Sequence, residues 1–101
     1  MAKKINITDK LSFEENPVLV IGTLEVEVNA EAETVLKLME VLSGDMGMKE
    51  IHEAMNLIFK PEDIKEICKL KKGNKKLSTN SLMGIVQAAM ELIMGDEEQG
   101  E

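Results

Sequence analysis

Apolar and polar side chains alternate strictly over residues 24–28, near the start of the chain. An apolar run at residues 18–21 precedes this segment, and Gly22 and Thr23 separate the two. Alternation with period two is typical of a strand with one buried face, and a short break containing glycine is typical of a hairpin loop. We therefore predict a β-hairpin over residues 18–28, with the glutamates of its second strand facing water. The side chains expected on its buried face are Leu24, Val26 and Val28.

Four later segments repeat apolar residues every three or four positions, as amphipathic helices do. The first predicted helix covers residues 30–42, with Asn29 as its N-cap. The second begins after Gly47 and extends to Ile58, and the third covers residues 61–71, since proline suits the first position of a helix. The fourth is capped by Ser78 or Thr79 and carries apolar positions from Leu82 to Ile93. Residues 73–76 are predicted to form a connector between the last two helices.

The helical spacing also predicts which side chains face the core. In the first helix these are Ala32, Val35, Leu36, Met39 and Leu42. In the second helix they are Met48, Ile51, Met55 and Ile58. In the third helix they are Ile64, Ile67 and either Cys68 or Leu70.

These elements predict an α+β fold that is mostly α-helical, with an N-terminal β-hairpin at about residues 18–28 followed by four helices in one domain, residues 18–94. Residues 1–17 mix charged residues with isolated apolar ones, so they form either an edge strand or a loosely docked N-terminal arm. Residues 95–101 hold four carboxylates and no large apolar side chain. Nothing there offsets the entropy of ordering, and a disordered acidic tail is expected.

The composition changes the picture of the core. Apolar residues make up 44% of the 101 residues, but only 2% are aromatic, and eight residues are methionine. The core should therefore be aliphatic and rich in methionine. Core filling is the first interpretation of the helical methionines, and the alternative is an adaptable apolar groove that binds another protein, because an unbranched thioether repacks easily. The candidate partner-binding residues are Met39, Met48, Met55, Met83 and Met90.

The charge balance bears on partners. Nineteen acidic residues against twelve basic ones give a net charge of -7, and every basic residue is lysine. A nucleic acid partner is not expected, because a polyanion would be repelled overall and no guanidinium group is present to bind phosphate in a bidentate manner. Five lysines lie between Lys69 and Lys76. They are either a helix end with a solvated loop or a contact for an acidic surface, such as the tail of another copy in a homo-oligomer.

Candidate chemistry is sparse. His52 is the only histidine and Cys68 the only cysteine, so nitrogen and sulfur ligands for a tetrahedral zinc site are lacking. Asn56 stands where a zinc-protease helix would place its second histidine. We expect no metal, no cofactor and no enzyme activity. With no signal peptide, no apolar run long enough to span a membrane, and a single cysteine, the expected location is the cytoplasm, with no membrane contact.

The order of features resembles the tail assembly chaperones of long-tailed bacteriophages and prophages of Gram-positive bacteria. The hairpin at residues 18–28, the helical stretch at residues 50–63 and the closing helix at residues 82–94 with its acidic tail carry this resemblance, which covers nearly the whole chain. It is a likeness of layout, and no catalytic motif of the family is matched.

The resemblance implies a non-catalytic protein of the host cell cytoplasm that binds the tape measure protein, keeps its apolar helices soluble, and helps to recruit tail tube protein. It also implies that a longer form made by ribosomal frameshifting is common in the family. The alternative is a small acidic regulatory or adaptor protein that blocks or bridges another protein. The chaperone predicts a methionine-lined apolar surface and self-association, whereas the regulator predicts carboxylates clustered on one rigid face.

Overall fold

The computed structural model of the chain describes residues 2–95, which contain two β-hairpins and four α-helices. An N-terminal hairpin precedes four helices, so the predicted α+β class is confirmed. A second, smaller hairpin lies between the third and fourth helices. In chain order the elements are β1 Val18–Ile21, β2 Leu24–Glu27, α1 Ala32–Val41, α2 Met48–Ile58, α3 Pro61–Cys68, β3 Lys71–Lys72, β4 Lys75–Lys76 and α4 Thr79–Met94.

The first hairpin has the predicted faces. β1 and β2 pair antiparallel, with Leu19 opposite Val26. Gly22 begins the two-residue loop with a φ of +64°, a conformation that glycine adopts without a Cβ clash. Val26 and Val28 are buried, and Leu24 is partly buried against the same core. The opposite face of the hairpin is open to solvent, since Val20 is 60% exposed.

The core is aliphatic and centred on α2, which contacts α1, α3 and α4. Ile51, Met55 and Ile58 are buried as the helical spacing predicts, whereas Met48 on the same helix is exposed. The other buried apolar side chains are Val26, Val28, Leu38, Ala54, Phe59, Ile67, Val86 and Ala89. One hydrophobic cluster therefore joins the first hairpin to all four helices.

The start of α1 differs from the prediction. The helix begins at Ala32, two residues later than expected, and Asn29 is not its N-cap. Instead, the Asn29 side-chain oxygen accepts a hydrogen bond from the Glu31 backbone N–H at 3.1 Å. The Asn29 backbone N–H donates to the Ile58 carbonyl oxygen at 2.8 Å. Asparagine favours such local turns as well as caps, and here the turn links the hairpin to the end of α2.

The buried face of α1 differs from the prediction at most positions, although Leu42, just beyond the helix, packs against the core as expected. Thr34 and Leu38 are the buried side chains of this helix, while Leu36 is 69% exposed and Met39 is 47% exposed. Apolar residues occupy more than one side of α1, so helical periodicity alone fits two alternative inner faces.

The third helix is shorter than predicted. α3 ends at Cys68 and not at Lys71, and the Cys68 side chain is exposed while Ile67 is buried. The expected connector is a second hairpin: Lys71 pairs with Lys76 and Lys72 with Lys75. We call residues 71–76 the lysine hairpin. The backbone N–H of Leu77 donates to the carbonyl oxygen of Leu70 at 3.2 Å and closes its base.

The last helix begins and ends as the sequence indicates. The Ser78 hydroxyl accepts a hydrogen bond from the Ser81 backbone N–H at 3.2 Å, which confirms Ser78 as the N-cap. Val86 and Ala89 are buried. Gly95 ends the helix in the left-handed conformation, with a φ of +70°. The predicted disordered tail at residues 95–101 lies, apart from Gly95, outside the described residues.

The N-terminal arm contains no strand within residues 2–17. Residues 2–15 are all exposed and contain a single 3₁₀ turn at Thr8–Lys10. Of the two predicted alternatives, the edge strand is not formed within residues 2–17, and Asn16 attaches the end of the arm to the body. The division of the chain at residues 17 and 94 stays a prediction.

Candidate functional site

The outer side of α1 is apolar. Each residue turns the helix by about 100°, so Ala32, Leu36 and Met39 fall within about 60° of one another, on the side opposite the buried Thr34 and Leu38. Leu36 is 69% exposed and Met39 is 47% exposed. A helix of a small domain normally buries one apolar stripe and presents polar residues opposite it. α1 departs from that rule, and its outward stripe has no cover from residues 2–95.

Charged residues of α1 are confined to one flank. Glu33, Lys37 and Glu40 lie on the same side of the helix, and the Lys37 ammonium approaches the Glu33 carboxylate at 3.5 Å. Their side chains therefore do not divide the apolar stripe. This flank keeps the helix hydrated while the outward stripe remains free for another apolar surface.

A cavity of about 430 Å³ continues the stripe at the start of α1. Ala32 lines it together with the end of the arm and the end of α4, including Phe13 and Leu92. Phe13 is 79% exposed and Leu92 is 36% exposed. We call Phe13, Ala32, Leu36, Met39 and Leu92 the α1 outer surface. It combines a helical stripe about two turns long with a concave end.

Asn16 positions the arm beside α1. Its side-chain oxygen accepts a hydrogen bond from the Ala30 backbone N–H at 3.0 Å, and its side-chain nitrogen donates to the Glu27 carboxylate at 2.9 Å. The hydrogen bond from Asn16, together with the Lys60 ammonium 3.7 Å from the other carboxylate oxygen, lowers the pKa of Glu27 below its ordinary value. The carboxylate therefore stays charged and fixes the end of the arm against the hairpin.

The five candidate methionines do not share one surface. Met55 is 3% exposed and packs in the core. Met83 and Met90 are partly buried against the same core, whereas Met39 and Met48 are exposed. Of the five, Met39 is the one on the α1 outer surface, and a partner-binding role for it stays a prediction. Leu36, Phe13 and Leu92 were not among the candidates. The excess of apolar positions around α1 could have indicated Leu36, whereas only the fold brings Phe13 and Leu92 next to α1.

The residues considered for catalysis are not brought into a site. The His52 Nε2 atom lies 3.3 Å from the Asn56 side-chain nitrogen, one turn along α2. Cys68 is exposed at the end of α3. Within residues 2–95, no group of three or more His, Cys, Asp and Glu side chains is placed to hold a metal ion.

Comparisons with known proteins return no relative. No family model, no curated protein and no solved structure matches the chain. None of the helices in the part that the structure describes combines the length and the apolar character needed to cross a membrane.

Proposed function

We propose that this protein is a non-catalytic protein-binding protein, and specifically a phage tail assembly chaperone that binds the tape measure protein and the tail tube protein in the host cell cytoplasm. The α1 outer surface supports this proposal. The observation that supports the proposal most directly is that Leu36 is 69% exposed on the side of α1 facing away from the core. Apolar patches of this kind on a small domain mark contact sites for other proteins.

The shape of the surface favours an apolar helix as the partner. Ala32, Leu36 and Met39 follow the spacing at which a helix presents neighbouring side chains, over about 10 Å of its axis. A partner helix with apolar residues at matching intervals can pack along this stripe. The cavity next to Ala32 lies at one end of this stripe, and its lining mixes apolar side chains with Glu14, Glu15 and Glu31. A long protein with many apolar helices, such as the tape measure protein, offers repeated segments of this kind.

The chemistry of the surface suits a chaperone, which binds several related segments. Met39 has a flexible thioether that can repack against different side chains. Removing the exposed part of Leu36 from water contributes about 1–2 kcal/mol. Such small increments suit reversible binding, because an assembly chaperone must release its client.

Co-expression with the tape measure and tail tube proteins of the same genome tests the proposal. Each is measured for solubility, for co-purification and for affinity by calorimetry. The test variant carries Leu36→Gln and Met39→Gln, which remove apolar surface without adding charge. We expect it to remain folded and to bind the tape measure protein about tenfold more weakly or worse, since both side chains would be buried in the complex.

A matched control comes from the charged flank of the same helix. Glu33→Gln with Lys37→Gln leaves the net charge unchanged and removes only an exposed ion pair, so binding should stay within about twofold of wild type. If neither tail protein binds at micromolar concentration, the tail-assembly proposal fails. A capture experiment from host lysate would then test the small acidic regulator in its place.

A further inference from the structure

The lysine hairpin places like charges directly opposite each other. Lys71 faces Lys76 and Lys72 faces Lys75 across the two strands, and all four side chains are exposed. Opposed like charges destabilise a strand pair. Within residues 2–95, the ion pairs closer than 4.0 Å involve Lys37 and Lys60, so none of these four ammonium groups meets a carboxylate there. The lysine hairpin is thus a concentrated positive charge on a chain of net charge -7.

An apolar cavity lies next to these charges. It has a volume of about 640 Å³ and is lined by Ile21, Leu70 and Leu77 together with the four lysines of the hairpin. Lysine stems cover apolar surface while their ammonium groups remain at the rim. The cavity therefore fits a peptide segment in which an apolar side chain is followed closely by several carboxylates.

The chain itself contains a segment with this chemistry. Met94 is 59% exposed at the end of α4, and the sequence that follows it, Gly-Asp-Glu-Glu-Gln-Gly-Glu, carries four carboxylates. We propose that the acidic segment at residues 94–101 of one copy docks on the lysine hairpin of a second copy. Four carboxylates then meet four ammonium groups, and Met94 supplies the apolar side chain for the cavity.

Covalent geometry favours a second copy over the same chain. Ser78 and Ser81, at the start of α4, line the cavity, whereas Met94 ends the helix. A helix of 16 residues is about 24 Å long. Glu98 lies three residues beyond Gly95, which spans at most about 11 Å when fully extended, and Glu101 lies six residues beyond, which spans at most about 22 Å. To reach the hairpin of its own chain, the segment would have to run back along α4 almost fully extended, and Asp96 and Glu97 would still fall short, so a second copy is favoured.

The contact that results is heterologous. Each copy offers one lysine hairpin and one acidic segment, so successive copies add head to tail and form rings or open chains. Because the attraction comes from exposed charges, added salt should weaken it strongly. The inference is independent of the α1 outer surface, since the cavity and the lysine hairpin share no residue with it.

Sedimentation velocity of the nuclease-treated protein tests the inference. In about 20 mM NaCl the wild-type mass should rise with protein concentration, and in about 500 mM NaCl it should return to that of the monomer. Lys72→Glu with Lys76→Glu gives each strand pair opposite charges, which favours the hairpin, and changes its charge from four positive to zero, two lysines against two glutamates. This variant should associate about tenfold more weakly or worse.

The control variant makes the same change in net charge elsewhere. Lys10→Glu with Lys49→Glu replaces two exposed lysines outside the hairpin and should associate nearly as wild type does. Leu36→Gln with Met39→Gln should also retain the salt-sensitive association. If only that variant loses it, copies meet through the α1 outer surface and the lysine hairpin is not the contact.

Mixing two variants gives the sharpest outcome. Glu97→Lys with Glu98→Lys alters the acidic segment and should abolish self-association. The variant Lys72→Glu with Lys76→Glu should do the same by altering the lysine hairpin. When the two are mixed, the intact acidic segment of one meets the intact hairpin of the other, and a dimer that cannot grow should form. Wild-type association by either variant alone, or no dimer in the mixture, overturns the inference.

Discussion

The two hairpins have the same kind of loop and differ in almost every other respect. Both turn through two residues with glycine first, at φ values of +64° for Gly22 and +65° for Gly73. The first hairpin places Val26 in the core, whereas the lysine hairpin buries none of its four paired side chains. The comparison teaches that glycine permits a hairpin turn, while burial determines whether the hairpin contributes to the stability of the domain.

The neighbours of the hairpins differ in the same way. The Pro17 carbonyl oxygen accepts a hydrogen bond from Val28, and Glu27 is held by Asn16 and Lys60. The lysine hairpin has a comparable backbone hydrogen bond at its base, between Leu77 and Leu70, but within residues 2–95 no side-chain hydrogen bond or ion pair holds its lysines. We therefore expect the first hairpin to unfold with the domain and the lysine hairpin to open by itself.

The largest expected difference comes from placing a carboxylate in each hairpin. Val26→Asp puts an unpaired charge where the side chain is 1% exposed, and should lower the free energy of unfolding by about 4 kcal/mol or more. Lys75→Asp replaces an exposed side chain and should change it by less than about 0.5 kcal/mol. Urea denaturation followed by circular dichroism measures both. Equal effects would show that the hairpins do not differ in burial as described.

The second test changes the first glycine of each hairpin loop. A Cβ at Gly22 or Gly73 would meet no atom within 4 Å, so alanine at either position suffers only from the positive φ, a strain of about 1–2 kcal/mol. Gly22→Ala should lower the global free energy of unfolding by about that amount. Gly73→Ala should change it by less than about 0.5 kcal/mol, because a hairpin that opens alone does not report on the whole domain.

Amide hydrogen exchange distinguishes the two glycine variants. In Gly73→Ala, faster exchange should be confined to residues 71–77. In Gly22→Ala, amides of α2 should also exchange faster, since the first hairpin packs on the core with that helix. Faster exchange throughout the molecule in Gly73→Ala would contradict the independence of the lysine hairpin.

A smaller effect is expected from a single charge reversal in the lysine hairpin. Lys75→Glu places a carboxylate opposite Lys72, and should stabilise the hairpin by about 0.5 kcal/mol through an opposite-charge pair. Slower exchange of the Lys72 amide in monomeric protein measures this. In the wild type, added salt should slow exchange of the Lys72 amide by screening the repulsion between the paired lysines. In the variant, salt should speed this exchange by screening the attraction between Lys72 and the new carboxylate. The same reversal at Lys49, which lies outside the hairpins, should leave the Lys72 amide unchanged.

The smallest effect concerns Glu27 in the first hairpin. Its pKa in the folded protein is lowered by Asn16 and then by Lys60, so its contribution to stability is fully present above the unfolded-state pKa and is lost as the pH falls through the folded-state pKa. Asn16→Ala should raise the pKa of Glu27 towards its ordinary value. An NMR titration of the Glu27 carboxyl carbon measures this, with Asn80→Ala on α4 as the control. An unchanged pKa in Asn16→Ala would show that this hydrogen bond is absent in solution.

Sequence periodicity predicted the elements whose apolar residues fit only one face. The alternation at residues 24–28 and the spacing of Ile51, Met55 and Ile58 each allow a single buried side, and the structure agrees. α1 could not be assigned in this way, because Leu36 and Leu38 both belong to apolar stripes on nearly opposite sides. Only packing against α2 selects between them.

The lysine hairpin and the candidate site escaped prediction for a related reason. Lys71 to Lys76 contain no apolar alternation, so nothing in the pattern indicates strands. Leu36 was expected in the core, and the five candidate methionines included the buried Met55 as well as Met39 of the α1 outer surface. Asn16 was not singled out, because its two hydrogen bonds join parts of the chain that only the fold brings together.

The two phenylalanines occupy opposite environments, and this provides a pair of spectroscopic probes. Phe59 is 4% exposed in the core, and Phe13, which belongs to the α1 outer surface, is 79% exposed on the arm. The chain has no tryptophan or tyrosine. Uniform labelling with fluorophenylalanine would therefore give two ¹⁹F resonances without any mutation. The signal from Phe59 would report whether the domain is folded, and the signal from Phe13 would report whether another molecule binds at the α1 outer surface.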